Sequence, residues 1–268
     1  RQHPQKERFC LSFFRLFCRK FAVQLVAFGS TQDWNSYVTG SGSEEYNMNL
    51  LADALVPYLL SNGIQYKRNN PDMTAGDAIR EANRGYYDLY LALHSNASGE
   101  GHYGENRGII AFYYPGSSEG KRAAELIAEE LREIYPLPNQ VTTRPTTTLG
   151  EVRQPKFPAV LVEIGYHDNY ADATWLERHW DAIAQQLARA LTRFFGLPFI
   201  YPTTPQRGRV SVSYGTLNLR SRPSSTATVL ANLPNGANVR IYGEWQGWYV
   251  VHYEQYVGYA AAAYIDLL

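Results

Sequence analysis

The chain has 268 residues, 45% hydrophobic and 19% charged, with a formal net charge of zero. That is ample core material for one large domain or two. The balanced charge argues against a nucleic-acid binder that works through a strong positive field. The two cysteines, Cys10 and Cys18, both lie near the N-terminus, so residues 22–268 hold no disulfide framework and no cysteine-based zinc site. A cysteine-free body tolerates any redox compartment. The 21 tyrosines suit a carbohydrate-polymer partner, since tyrosine stacks on sugar rings and donates hydrogen bonds. Many of them would also serve a core.

Residues 1–21 read as an N-terminal extension. Their apolar run is interrupted by Arg15, Arg19 and Lys20, which excludes a stable membrane span. Basic residues ahead of the run leave a targeting role open, although no small-residue cleavage site follows. "AVQLVAF" then reads as a buried strand. "EEYNMNLLADALVPYLLSNG" reads as a helix with Leu51, Ala54, Leu55 and Tyr58 on one face and Gly63 at its stop. "IQYKR" is a short strand. "TAGDAIREANRG" has Thr74 and Asp77 at capping-box spacing and closes at Gly85. "YDLYLALH" and "GIIAFYY" are strands, and "SSEGKRAAELIAEELREIYP" is a helix with a serine start. "AVLVEIGY" is another buried strand, and a last amphipathic helix covers 174–195.

This alternation over 22–197 predicts an α/β fold, a mainly parallel twisted sheet flanked by helices. Residues 198–208, with three prolines, read as a linker. Residues 209–268 have short alternating segments, turn signals such as "PNG" and "QG", and no long helix, the pattern of a small all-β barrel. Trp245, Trp248 and Tyr249 read as barrel core in preference to a ligand platform.

Chemistry gathers where the strands of the first region end. Sites in open α/β sheets lie beyond the carboxyl ends of the strands. His94 ends one apolar run, and Glu163 interrupts another, where a carboxylate is costly unless paired, metal-bound or protonated. Glu45 opens the first helix, with Glu44 beside it as an equal alternative. Gln32 follows the first strand. Such a set suits a zinc hydrolase with three protein ligands, an open position for water, and a separate Glu to handle protons. The plainer readings are a strand-end histidine bonded to backbone, a helix-start carboxylate favoured by the macrodipole, and a buried ion pair of Glu163 with Arg153 or Lys156.

Residues 22–197 resemble the zinc-dependent N-acetylmuramoyl-L-alanine amidases. The resemblance rests on "EYNMNLLADAL", "LALHSNA" and "AVLVEIGYHDN". It implies that Zn2+ is held by Glu45 and His94, that Glu163 is catalytic, and that the bond cleaved joins N-acetylmuramic acid to L-alanine of the peptidoglycan stem peptide. One departure stands out. The family's first histidine ligand sits in a "PGHGG"-like turn, and this chain has "GSTQDWN", with Gln32 in its place. An amide oxygen is a weaker zinc donor than imidazole. His167, two residues beyond Gly165 and on the strand face of Glu163, is the candidate to complete the site or to assist catalysis. His102 in "SGEGHYGENRG" is a more distant one. Residues 209–268 resemble a bacterial SH3 domain, which implies binding of peptidoglycan. The whole implies a monomeric enzyme, extracellular or cell-wall-associated. The rival readings are a metal-depleted, non-catalytic wall-binding protein and a zinc peptidase acting on wall peptides.

Overall fold

The computed structural model describes residues 21–27 and 36–268; Gln32 and nearly all of the N-terminal extension lie outside the described residues. The described chain divides into two compact units. One holds Ala22–Leu59 and Tyr66–Phe199; the other holds Phe21, Leu60–Gln65 and Ile200–Leu268.

The larger unit is a six-stranded sheet with helices. In chain order it comprises β1 (Ala22–Ala27), α1 (Glu44–Ser61), β2 (Gln65–Arg68), α2 (Ala75–Ala82), β3 (Leu89–Asn96), β4 (Ile109–Tyr113), α3 (Ser118–Arg132), β5 (Val141–Pro145), α4 (Gly150–Arg153), β6 (Ala159–Tyr166), α5 (Tyr170–Arg178) and α6 (Trp180–Phe195). The strand order is β2-β1-β3-β6-β4-β5. β1 with β3, β3 with β6, and β4 with β5 run parallel, while β4 runs antiparallel to β6. The expected mainly parallel sheet is therefore present, with one antiparallel junction. The chain passes from β3 to β4 through the glycine-rich stretch 97–108 without a crossover helix, so β4 enters in the opposite sense.

The local signals act as their chemistry dictates. Thr74 caps α2 in a reciprocal capping box with Asp77, and Ser117 caps α3. The buried face of α3 is Gly120, Ala123, Ala124, Ile127, Ala128 and Leu131, a 3.6-residue stripe. The helix expected over 174–195 is two helices, because the chain breaks at His179, whose φ and ψ are −129° and 20°. Asn169, from the "HDN" turn, caps the first of them.

The strand period decides which side chains meet. Tyr90, Ala92 and His94 share one face of β3, as do Ala159, Leu161 and Glu163 on β6. Tyr90, Ala92, Ala159 and Leu161 pack in one core cluster with Val26, with Ala78, Ile79 and Ala82 of α2, and with Val152 of α4. His94 and Glu163 stand at the end of that apolar face and pair directly in the β3–β6 register.

The smaller unit is all β: β7 (Gln206–Val210), β8 (Thr216–Arg220), β9 (Val229–Pro234), β10 (Asn238–Trp245), β11 (Trp248–Tyr253), β12 (Tyr256–Ala261) and β13 (Ile265–Leu267). The order is β13-β7-β10-β11-β12-β8-β9. Its core includes Val210, Leu219, Leu233, Val239, Ile241 and Val251. Gln246 and Gly247 join β10 to β11 with φ of 46° and 81°, the positive values that a two-residue hairpin turn demands. Tyr249 packs against the core, as expected. Trp248 instead lines a surface groove, and Trp245 is 36% exposed; both lie by that hairpin turn. Within the stretch 198–208, β7 begins at Gln206, and Ile200 is buried, its N–H donating to Asn62 Oδ1 at 2.6 Å. An apolar residue with a paired backbone is held as firmly as a strand residue, whatever the prolines around it.

Candidate active site

Two carboxylates and two imidazoles, those of Glu44, Glu163, His94 and His167, line one cavity of about 280 Å3, together with Ser95, Asn96, Ala97, Gly99 and Tyr103. Glu44 is the first residue of α1 and is buried. Its Oε1 lies 3.1 Å from His94 Nδ1 and accepts the Ser95 N–H at 3.0 Å. The acid beside His94 is thus Glu44, the alternative to Glu45; Glu45 does not line the cavity. Helix phase explains this. Glu44 continues the buried stripe of Asn47, Met48, Leu51, Ala52 and Leu55, whereas Glu45 is turned about 100° away from it.

His94 is clasped on both sides. Its Nε2 lies 3.0 Å from Glu151 Oε2. Glu151 is buried in the four-residue α4, and its Oε1 accepts the Tyr90 hydroxyl at 3.2 Å. Burial pulls the His94 pKa down, but the hydrogen bonds to Glu151 and Glu44 outweigh it and leave it well above its usual value. Sequence reading missed Glu151. A single turn of helix has no period to recognise, and only its place eight residues before β6 marks it.

Glu163 has the opposite environment. Its Oε2 is enclosed and has no hydrogen-bond partner among the described residues. Burial first, then the charges of Glu44 and Glu151, push its carboxyl up to about 7 against the pull of His94. The ion pair weighed for it with Lys156 is not formed; that ammonium donates to Asn83 O. A carboxyl poised near neutrality in a cavity is suited to taking and returning a proton.

His167 follows β6 and is 1% exposed. Its Nδ1 lies 3.0 Å from both Ser95 O and Ser95 Oγ, and its ring stacks on Tyr37 at 5.6 Å. Its Nε2 is buried without a partner among the described residues. With Nδ1–H directed to the Ser95 carbonyl, Nε2 carries the free lone pair. His102 lies elsewhere, exposed and paired with Glu105 at 2.7 Å. The loop 97–108 is pinned to the end of β6: Asp168 Oδ2 accepts the N–H groups of Ser98 and Gly104, and Asn169 Nδ2 donates to Gly104 O.

Comparison with known families decides what this arrangement belongs to. The family model described as N-acetylmuramoyl-L-alanine amidase matches residues 29–193. The chain belongs to that family. Its reaction is hydrolysis of the amide between N-acetylmuramic acid and L-alanine, and the chain is a peptidoglycan amidase. A second family model, bacterial SH3 domain, matches residues 215–266, which include most of the all-β unit. Comparison with the curated proteins gives no match. Among solved structures, the amidase AmiC2 of Nostoc punctiforme is similar at 18% identity and a TM-score of 0.58, over 67% of this chain and 99% of that one. The catalytic domain of the amidase CwlV from Bacillus (Paenibacillus) polymyxa var. colistinus is similar at 19% identity and 0.57, over 66% and 99%. An amidase from Clostridium difficile 630 is similar at 16% and 0.58, over 66% and 97%. These identities speak to the fold. An amidase joined to a bacterial SH3 domain suggests an extracellular or wall-associated role, and no described helix is long and apolar enough to cross a membrane.

The donor set bears on the zinc of this family. Two ligands of a tetrahedral zinc, each about 2.0–2.2 Å from the metal, stand roughly 3.3 Å apart. The 3.1 Å between Glu44 Oε1 and His94 Nδ1 is close to that edge. Both are donors zinc accepts, and the orphaned His167 Nε2 lines the same cavity. No complete group of three or more metal-holding His, Cys, Asp or Glu side chains is assembled among the described residues. The pair fits two corners of a zinc site.

Proposed function

We propose that the chain cleaves the muramoyl–L-alanine amide at the cavity between the ends of β3 and β6, with Zn2+ held by Glu44 and His94. The observation that carries the reading is the 3.1 Å Glu44–His94 pair with the unpartnered Glu163 Oε2 in the same cavity. When bound, the metal supplies a Lewis acid for the scissile carbonyl and for water. The rest falls to the chain's own side chains. Glu163 takes the proton from the attacking water and returns it to the leaving amine of L-alanine, a role its raised affinity for protons favours. His167 either supplies a further metal donor through the Nε2 lone pair or, in the other tautomer, with the Ser95 hydroxyl donating to Nδ1, donates a hydrogen bond from Nε2–H to the carbonyl oxygen as charge develops there. Ser95 fixes its ring for either task. Gln32 is the rival third donor. Zinc affinity separates them: Gln32→His tightens binding if Gln32 is a ligand, and His167→Ala weakens it if His167 is.

The all-β unit is read as the wall anchor. A groove of about 600 Å3 there is lined by Tyr214, Trp248 and Tyr264 with Asn218 and Arg220, aromatic faces and polar groups of the kind that hold glycan and peptide. A tethered second contact raises the enzyme's local concentration on an insoluble polymer, which fits a secreted enzyme working at the wall. The test is digestion of purified peptidoglycan with mass analysis of the fragments. Free L-alanine amino termini and unsubstituted lactyl carboxyls are expected. Release of peptides cut between amino acids would favour the peptidase reading, and no release would favour a binding protein.

A further inference from the structure

Among the described residues, the buried carboxylate of Glu151 has no ion pair with a lysine or arginine. Its contacts are the Tyr90 hydroxyl on Oε1 and His94 Nε2 on Oε2. Burying such a group is costly unless it is fully hydrogen-bonded. A Val or Leu in its place would extend the cluster that contains Val152, Tyr90 and Ala159, so packing alone does not call for an acid. The two nitrogens of His94 also face different surroundings. Nδ1 is on the side of Glu44, which lines the cavity with Glu163 and His167; Glu151, at Nε2, does not line it.

We propose that Glu151 is a positioning residue of the amidase: it holds the Nε2–H of His94 and thereby turns the Nδ1 lone pair toward the metal position shared with Glu44. The inference rests on the zinc reading above. A carboxylate on the far nitrogen of a histidine ligand fixes the ring orientation and tautomer and raises its basicity, and losing such a partner typically costs 10- to 100-fold in metal affinity. Tyr90 extends the arrangement by one step, because its hydroxyl fixes the rotamer of Glu151. Tyr90 and His94 lie on the same face of β3 four residues apart, so one strand carries both the ligand and the group that steadies its support.

The test uses the full chain, stripped of metal and titrated with Zn2+, with nitrogen-15 spectra of the His94 ring in the loaded state. In the wild type, Nε2 is expected to carry a slowly exchanging proton and Nδ1 to be metal-bound. Glu151→Ala should lose that proton signal and bind Zn2+ about 10- to 100-fold more weakly. Glu151→Gln keeps an acceptor for Nε2–H and a donor for the Tyr90 oxygen, so it should keep the signal and bind more weakly than wild type, though less so than alanine. It carries the test if the alanine variant fails to fold. A role confined to packing would lower the melting temperature and move neither readout. Wild-type zinc affinity in both variants, or a retained Nδ1 proton in the loaded wild type, would overturn the proposal. A wild type that takes up no Zn2+ would instead overturn the zinc reading on which it rests.

Discussion

At the level of single residues, the site is a contrast between two acids on one cavity. Glu44 has partners for its Oε1, while Glu163 Oε2 has none among the described residues. Glu163→Gln removes the proton acceptor and keeps the shape. The expected result is a fall in kcat of about 10²–10⁴ with bound zinc unchanged, read by steady-state kinetics beside elemental analysis. Loss of zinc together with activity would make Glu163 a ligand. His94 and Glu163 were legible in the sequence because a titratable group at the end of an apolar run has to be accounted for. Glu44 was not singled out: the motif match fell on Glu45, with Glu44 only an alternative, and it is the burial of the helix face that separates them. Glu151 was not legible, because its role depends on Tyr90 and His94, which are remote in sequence and meet it only across the sheet.

At the level of elements, the end of β6 is held by Asp172 near the start of α5. Its Oδ1 accepts Arg107 Nε at 2.8 Å and the Tyr135 hydroxyl at 2.7 Å; its Oδ2 accepts the N–H groups of Gly108 and Tyr166. One buried carboxylate thus fixes the entry to β4 and the strand end just before His167. Asp172→Ala strands four donors, and a destabilisation of about 3–5 kcal/mol is expected from breaking such a buried pair, measured by urea unfolding. In the barrel, burial chiefly, with the charge of Arg240, pulls the pKa of His252 down to about 4 against a Leu60 backbone hydrogen bond. The unfolded chain binds that proton near 6.5. Between these values the unfolded state holds more protons, so stability is full above about 6.5 and declines as pH falls toward 4. His252→Phe should flatten that decline, by roughly 3 kcal/mol at most at about 1.4 kcal/mol per pKa unit. An unchanged pH dependence of unfolding would contradict it. Strands and long helices were legible from period and caps. The 179 break and α4 were not, because one turn of helix and one residue of non-helical backbone leave the hydrophobic pattern almost untouched.

For the whole molecule, sequence composition separated an alternating α/β region from a turn-rich β region, and the two family models fall on those regions. The stretch 198–208 was harder to read, because its prolines give no sign of Ile200 being buried or of a strand starting at Gln206. On the proposal above, the amidase works through zinc held at Glu44 and His94. The most direct measurement is zinc titration of the metal-stripped full chain, with hydrolysis of purified peptidoglycan followed at each addition. Activity should return in proportion to zinc and saturate at about one equivalent, and His94→Ala should neither bind nor regain activity. Full hydrolysis by the stripped protein, or undiminished zinc binding by His94→Ala, would contradict it.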